Sequence, residues 1–339
     1  MLEIEAVELS DRSVPTPPPK IKPAFLQGTW TLTTLRGWPS NFEINPAYIS
    51  LIIFCFQFGI MFGDIGQGLI FFVLGIILNR KFKSGMVSKL GTLFIPMGFS
   101  AMIFGVLYDS IFLVEGLLFH HHQILPNPMT QTTKLMLLVF GIAAVEIIFG
   151  LVLGAINQIR KGNVIGALGE HGVGMICYVG GFYLTALYFI QTGMKFFAIF
   201  NYWGFYLMIG GLLLSFLEPL IHSVKHGHGI GLEVIGEGIA AFLMTFVEGM
   251  GNLFSFLRLV AFALAHASLA VAAEALSAAL PIIPGFGLIV MNVVALTFEL
   301  ISSSVQSLRL LYYEFMSKFY GGTGQRFRPF ILPKDKRIS

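Results

Sequence analysis

Long apolar stretches alternate with short polar ones along this chain, and they are too continuous for the half-buried helices of a soluble globule. Apolar segments occupy about 48–62, 65–79, 90–113, 134–157, 172–191, 201–221, 239–280 and 285–317. At about 20 residues per crossing, this pattern predicts an all-α polytopic membrane protein with about eight transmembrane helices. Only Gly63-Asp64-Ile65-Gly66 separates the first two segments, a tight reversal in which glycine supplies the permissive backbone. The first segment is short for a full crossing and fits a half re-entrant one. The seventh, about 40 residues without an internal proline, is too long to stand upright in a core of about 30 Å, so the last two helices are expected to be long and steeply tilted.

Residues 1–46 read differently. Glu3, Glu5, Glu8 and Asp11 precede a Pro-rich stretch from Val14 to Pro23, the composition of an extended, solvated linker. No basic segment leads into a short apolar core, so a cleaved signal peptide is not expected. The chain thus divides into a cytoplasmic linker (1–46), a membrane domain (47–320) and a cytoplasmic tail (321–339).

Composition agrees. Of 339 residues 55% are apolar and only 12% charged, with a mean hydropathy of +0.80, which excludes a soluble enzyme, a disordered tail and a nucleic-acid module. The net charge of +3 implies no special partner, but the placement of the cations is informative. With the N-terminus inside, all but four of the 21 lysines and arginines fall in inner segments: near Arg36, Arg80–Lys89, Arg160–Lys161 and Lys225, and in the tail from Lys318 onward. Lys134 and Lys195 lie in outer loops, and Arg258 and Arg309 lie inside apolar segments. This split puts both termini in the cytoplasm. Cys55 and Cys177 are isolated, so no disulfide framework is expected. No GxxxxGK[ST] run is present, so the chain should hold no nucleotide, and no cofactor is implied. Glycine pairs such as Gly150/Gly154 and Gly231/Gly236 suggest close helix packing.

Ionisable groups at membrane depth concentrate in the last two segments. Glu237, Glu248, Asn252, Ser255 and His266 fall within an arc of roughly 60° at 100° per residue, with Arg258 at its border. From Glu248 to His266 is about 27 Å, nearly the hydrocarbon thickness. Glu299, Ser302, Ser303, Gln306 and Arg309 line one side of the last helix over roughly 15 Å. Such charges either glue helices together or mark an ion path. Glue needs one pair, whereas two parallel stripes of exchangeable groups fit a path. Arginine keeps its proton and suits a fixed electrostatic gate; glutamate and histidine can carry protons.

The run Phe254-Ser-Phe-Leu-Arg-Leu-Val-Ala-Phe-Ala-Leu-Ala-His-Ala-Ser268 resembles the signature of subunit a (subunit I) of V-type and A-type rotary ATPases. Three further stretches resemble the same family: Met61-Phe-Gly-Asp-Ile-Gly-Gln-Gly68, Ile103-Phe-Gly-Val-Leu-Tyr-Asp109, and Ser307-Leu-Arg-Leu310 through Phe315-Met-Ser-Lys-Phe-Tyr-Gly-Gly-Thr-Gly324. The resemblance runs from the Pro-rich linker to Phe330. It implies a membrane stator whose last two helices lie against a ring of proteolipid c (K) subunits and form two ion half-channels. Arg258 then aligns with the essential arginine that meets the ring carboxylate, and Arg309 with a second arginine. His266 and Glu299 align with polar positions of the half-channel on the non-cytoplasmic side. Glu248, Ser255, Gln306 and Glu237 come from the stripes alone. Peripheral-stalk subunits and catalytic nucleotide-binding subunits are the other implied partners, the former through a large cytoplasmic domain that precedes the membrane half in the family and is expected here as a separate or missing part. Short outer loops and the lack of an Asn-x-Ser/Thr sequon point to a prokaryotic cell membrane.

Other features carry less. His120–His122 and the set His222, His226 and His228 fit solvated or interfacial histidines better than metal ligands. Asp64 fits a turn or helix cap better than an ion site. Glu146 and Glu218 read as isolated groups, paired or near an interface. A stand-alone ion transporter or channel is the competing function, but no internal repeat of the kind such proteins show is evident.

Overall fold

A computed structural model describes residues 27–34, 36–38, 43–82, 85–118, 124–160, 169, 172–193, 196–225, 231–279 and 285–322. The linker's Pro-rich stretch, the His120–His122 triplet, His226, His228 and most of the C-terminal tail lie outside these residues.

The architecture is all-α and polytopic. Its helices are α1 (Gln27–Thr34), α2 (Ala47–Met61), α3 (Ile65–Lys81), α4 (Met86–Tyr108), α5 (Thr132–Arg160), α6 (Val173–Gln191), α7 (Trp203–Lys225), α8 (Leu232–Ser255), α9 (Leu257–Ala279), α10 (Phe286–Val294) and α11 (Leu300–Arg309). The two strands, β1 (Ser110–Ile111) and β2 (Val114–Glu115), form a minimal antiparallel hairpin with Ser110 opposite Glu115.

Among the described residues, six helical stretches are long and apolar enough to cross a membrane: α4, α5, α6, α7, the 48 residues of α8–α9, and the 33 residues from Phe286 to Lys318. The first two expected spans are helices of 15 and 17 residues, about 22 and 26 Å long. They are joined by a tight reversal around Asp64, and each packs on α4. The outer surface is apolar in a way water would not tolerate: Val145, Phe298 and Ile52 are each about 70% exposed.

Small residues let neighbouring helices meet at backbone distance. A Cβ on Gly98 of α4 would lie 2.5 Å from Phe72 N and 2.6 Å from Gly68 O of α3. Gly150 packs near the Phe315 carbonyl. Gly231 and Gly236 face open space and pack on no other helix of this chain among the described residues.

Two irregularities position the polar groups. The long seventh span is not one continuous helix. Its α ladder is interrupted at Phe256, whose N–H bonds Leu253 O at 3.2 Å and whose ring is fully buried in the central core. The last span contains two wide π-helical turns, Ala295–Glu299 and Leu310–Phe315, flanking α11. π turns inside α-helices recur at functional sites.

Helix α1, with Arg36, Gly37 and Glu43, straps the end of this last span. Tyr312 donates to Leu32 O at 2.7 Å, Tyr320 to Gly37 O at 2.8 Å, and Arg36 to Tyr312 O. The Gly321 N–H donates to Glu43 at 3.2 Å. Burial pushes the Tyr320 phenol pKa up, keeping it a donor.

Candidate ion-translocation site

The seventh and last spans run antiparallel, and their polar residues meet in three layers. In the first, Glu248 of α8 pairs with Lys318 at the end of the last span. Lys318, counted with the tail cations in the sequence, is in fact buried beside a helix.

The middle layer holds both arginines. Arg258 lies on the first turn of α9, two residues past Phe256, and Arg309 closes α11. Glu314, buried on the second π turn, interacts electrostatically with both guanidinium groups. Arg258 Nη1 and Glu314 Oε2 are buried without a hydrogen-bond partner among the described residues. Glu146 of α5 bears on Glu314 from the other side and accepts from Gln57 Nε2 of α2 at 2.6 Å.

The third layer is His266 with Glu299, Nδ1 to Oε2 at 2.9 Å, both buried. Asp64 closes it from the α2–α3 reversal. Its Oδ1 accepts from Gln67 N at 2.9 Å, capping α3, and from Phe112 N at 3.0 Å. Its Oδ2 accepts from Ser110 Oγ and Leu113 N, both at 2.9 Å. Phe112 and Leu113 take positive φ values of 51° and 64° to present those amides. The expected cap is therefore present, and Asp64 Oδ2 also stands 3.9 Å from His266 Nε2.

Glu237 lies exposed near the start of α8, away from the three layers, and Ser303 is buried on α11. Gln306 Oε1 and Asn252 Nδ2 are buried and unpartnered among the described residues. The sequence reading missed Glu314. At 100° per residue it lies about 140° around an α-helix from Arg309, but the π ladder joins residues i and i+5 and swings it back over that arginine. No metal-binding group of three or more His, Cys, Asp or Glu occurs among the described residues.

A multi-pass helical membrane protein with a charged seam between its last two spans is the class this structure defines. Residues 10–166 match the V-type ATPase 116kDa subunit family. Over 92% of its length the chain is 28% identical to the A-type ATP synthase subunit I of Halobacterium salinarum, covering 51% of that protein. It is 28% identical to the subunit I of Thermococcus kodakarensis over 94% of the chain and 48% of the relative. For Archaeoglobus fulgidus the values are 27%, 96% and 55%. Along most of its length the chain is therefore similar to the subunit a/subunit I proteins of V- and A-type ATPases. It spans about half the length of the curated relatives it matches.

Proposed function

We propose that this chain is the membrane stator subunit of a V/A-type rotary ATPase or ATP synthase. It forms two ion half-channels against a proteolipid c/K ring and couples translocation of protons, or sodium ions, to rotation. The observation that carries this reading is the order of the three layers. Exchangeable groups lie on each side of a fixed cationic layer: Glu248 with Lys318 on one, His266 with Glu299 on the other. About 12–15 Å of helix separates the third layer from the arginines on either span. An ion carried on a ring carboxylate enters from one side, and the arginines bar its direct passage to the other.

In this reading the cytoplasm holds both termini, and the membrane is that of a prokaryotic cell. Peripheral-stalk and catalytic nucleotide-binding subunits complete the assembly, the stalk engaging a cytoplasmic part like the half of the relatives this chain does not match.

Arg258→Ala should abolish coupled ion transport while the ring stays associated; transport at the native rate would overturn the proposal. Arg258→Lys should fail as well, because a compact ammonium lacks the guanidinium's fixed charge and planar fork. A stand-alone transporter would instead move ions when the purified chain alone is placed in liposomes.

A further inference from the structure

Beside the third layer lies a cavity of about 20 Å³, lined by Met61, Gly63, Tyr108, Ser110, Glu115 and His266, with Ala263 among its apolar walls. That is room for the centre of one water molecule. Two of the lining groups are more than nine-tenths buried and have an atom without a hydrogen-bond partner among the described residues: Tyr108 Oη and His266 Nε2. An unmet buried donor or acceptor costs about 1–3 kcal/mol.

Asp64 cannot meet the need of Nε2. A carboxylate has about four acceptor positions, and Asp64 already accepts from Gln67 N, Phe112 N, Ser110 Oγ and Leu113 N. At 3.9 Å its oxygen is also beyond hydrogen-bond reach of the ring. On the other ring edge, Nδ1 is occupied by Glu299. Nε2 therefore requires a partner from the cavity, and so does Tyr108.

We propose that this cavity is a single-water site bridging Tyr108 Oη to His266 Nε2, and that Tyr108 is the positioning residue that fixes the histidine tautomer. Tyr108 donates to the water and the water donates to Nε2, leaving the ring proton on Nδ1, where it meets Glu299. Glu115, held by Asn127 at 3.1 Å, brings the loop after α4 to the same cavity. The bridge thus joins that loop to the His266–Glu299 pair. Its place in ion transfer rests on the stator reading above, but the site itself does not.

The test is solid-state NMR on the intact complex in lipid bilayers, with ¹⁵N-histidine and the His266 signals assigned by their loss in His266→Gln. In the native protein, His266 should carry its proton on Nδ1 and show magnetisation transfer from water at Nε2. Tyr108→Phe should lower that transfer at least threefold and mix the tautomers. Ala263→Leu, which fills the cavity and keeps the phenol, should do the same. Tyr108→Phe should also slow coupled transport about tenfold. A native His266 without a water contact overturns the proposal even if neither variant assembles, and so do variants that leave contact and tautomer unchanged. Failure of the stator reading would show in the Arg258→Ala experiment and leave these spectra as they are.

Discussion

Glu314 is the residue on which the charged seam depends most. It is a buried carboxylate that interacts electrostatically with both Arg258 and Arg309. Glu314→Gln removes the buried negative charge with which both guanidinium groups interact and leaves their mutual repulsion less compensated. The expected result is a lower thermal-inactivation midpoint together with at least a tenfold loss of coupled transport. Native values of both would show that the arginines do not rely on this carboxylate. Asp64→Asn is a second case. The amide nitrogen must face one of the two pairs of donors that Asp64 now satisfies, a loss of about 1–3 kcal/mol. It should be read as a destabilised α2–α3 reversal, with faster amide exchange at Phe112 and Leu113.

At the scale of elements, helix approach and the strap set the geometry. Gly98→Val would place side-chain carbon against the backbone of Phe72 and Gly68, so α3 and α4 must separate, at about 1–3 kcal/mol. The yield of folded protein from detergent should fall, and Ala at the same place should do less harm. The strap has a pH dependence of known sign. Burial raises the Tyr320 pKa in the folded state. Its contribution is therefore complete below the unfolded phenol's pKa of about 10 and is lost as pH rises through the higher folded value. Protease access around Leu32 and Gly37 should increase above about pH 10, and Tyr320→Phe should remove that step.

For the whole molecule, the stator reading predicts its company. Gentle-detergent purification followed by mass spectrometry should recover a small proteolipid and nucleotide-binding subunits with this chain. A chain that purifies alone and conducts ions in liposomes would make Arg258 an internal counter-ion. Cysteine accessibility should place position 115 on one face of the membrane and positions 36 and 322 on the other.

The apolar periodicity determined the class, the all-α fold and the position of most spans, because lipid demands long, internally hydrogen-bonded apolar segments. It also marked the two polar stripes, since ionisable residues at membrane depth stand out against such a background. The Asp64 cap was legible from a short polar residue in a glycine-flanked reversal. The interruption at Phe256 was not, as no proline or glycine stands at residues 253–257, and the structure places its ring in the central core. Nor could α-helical spacing reveal Glu314 beside Arg309, because a π turn changes which residues share a face. Pairings between distant segments, such as Glu248 with Lys318 and Asp64 with His266, depend on which helices pack together. A one-dimensional pattern records which face of a helix is polar. Only packing chooses the partner that face meets, because that choice is made by the fit of neighbouring helices.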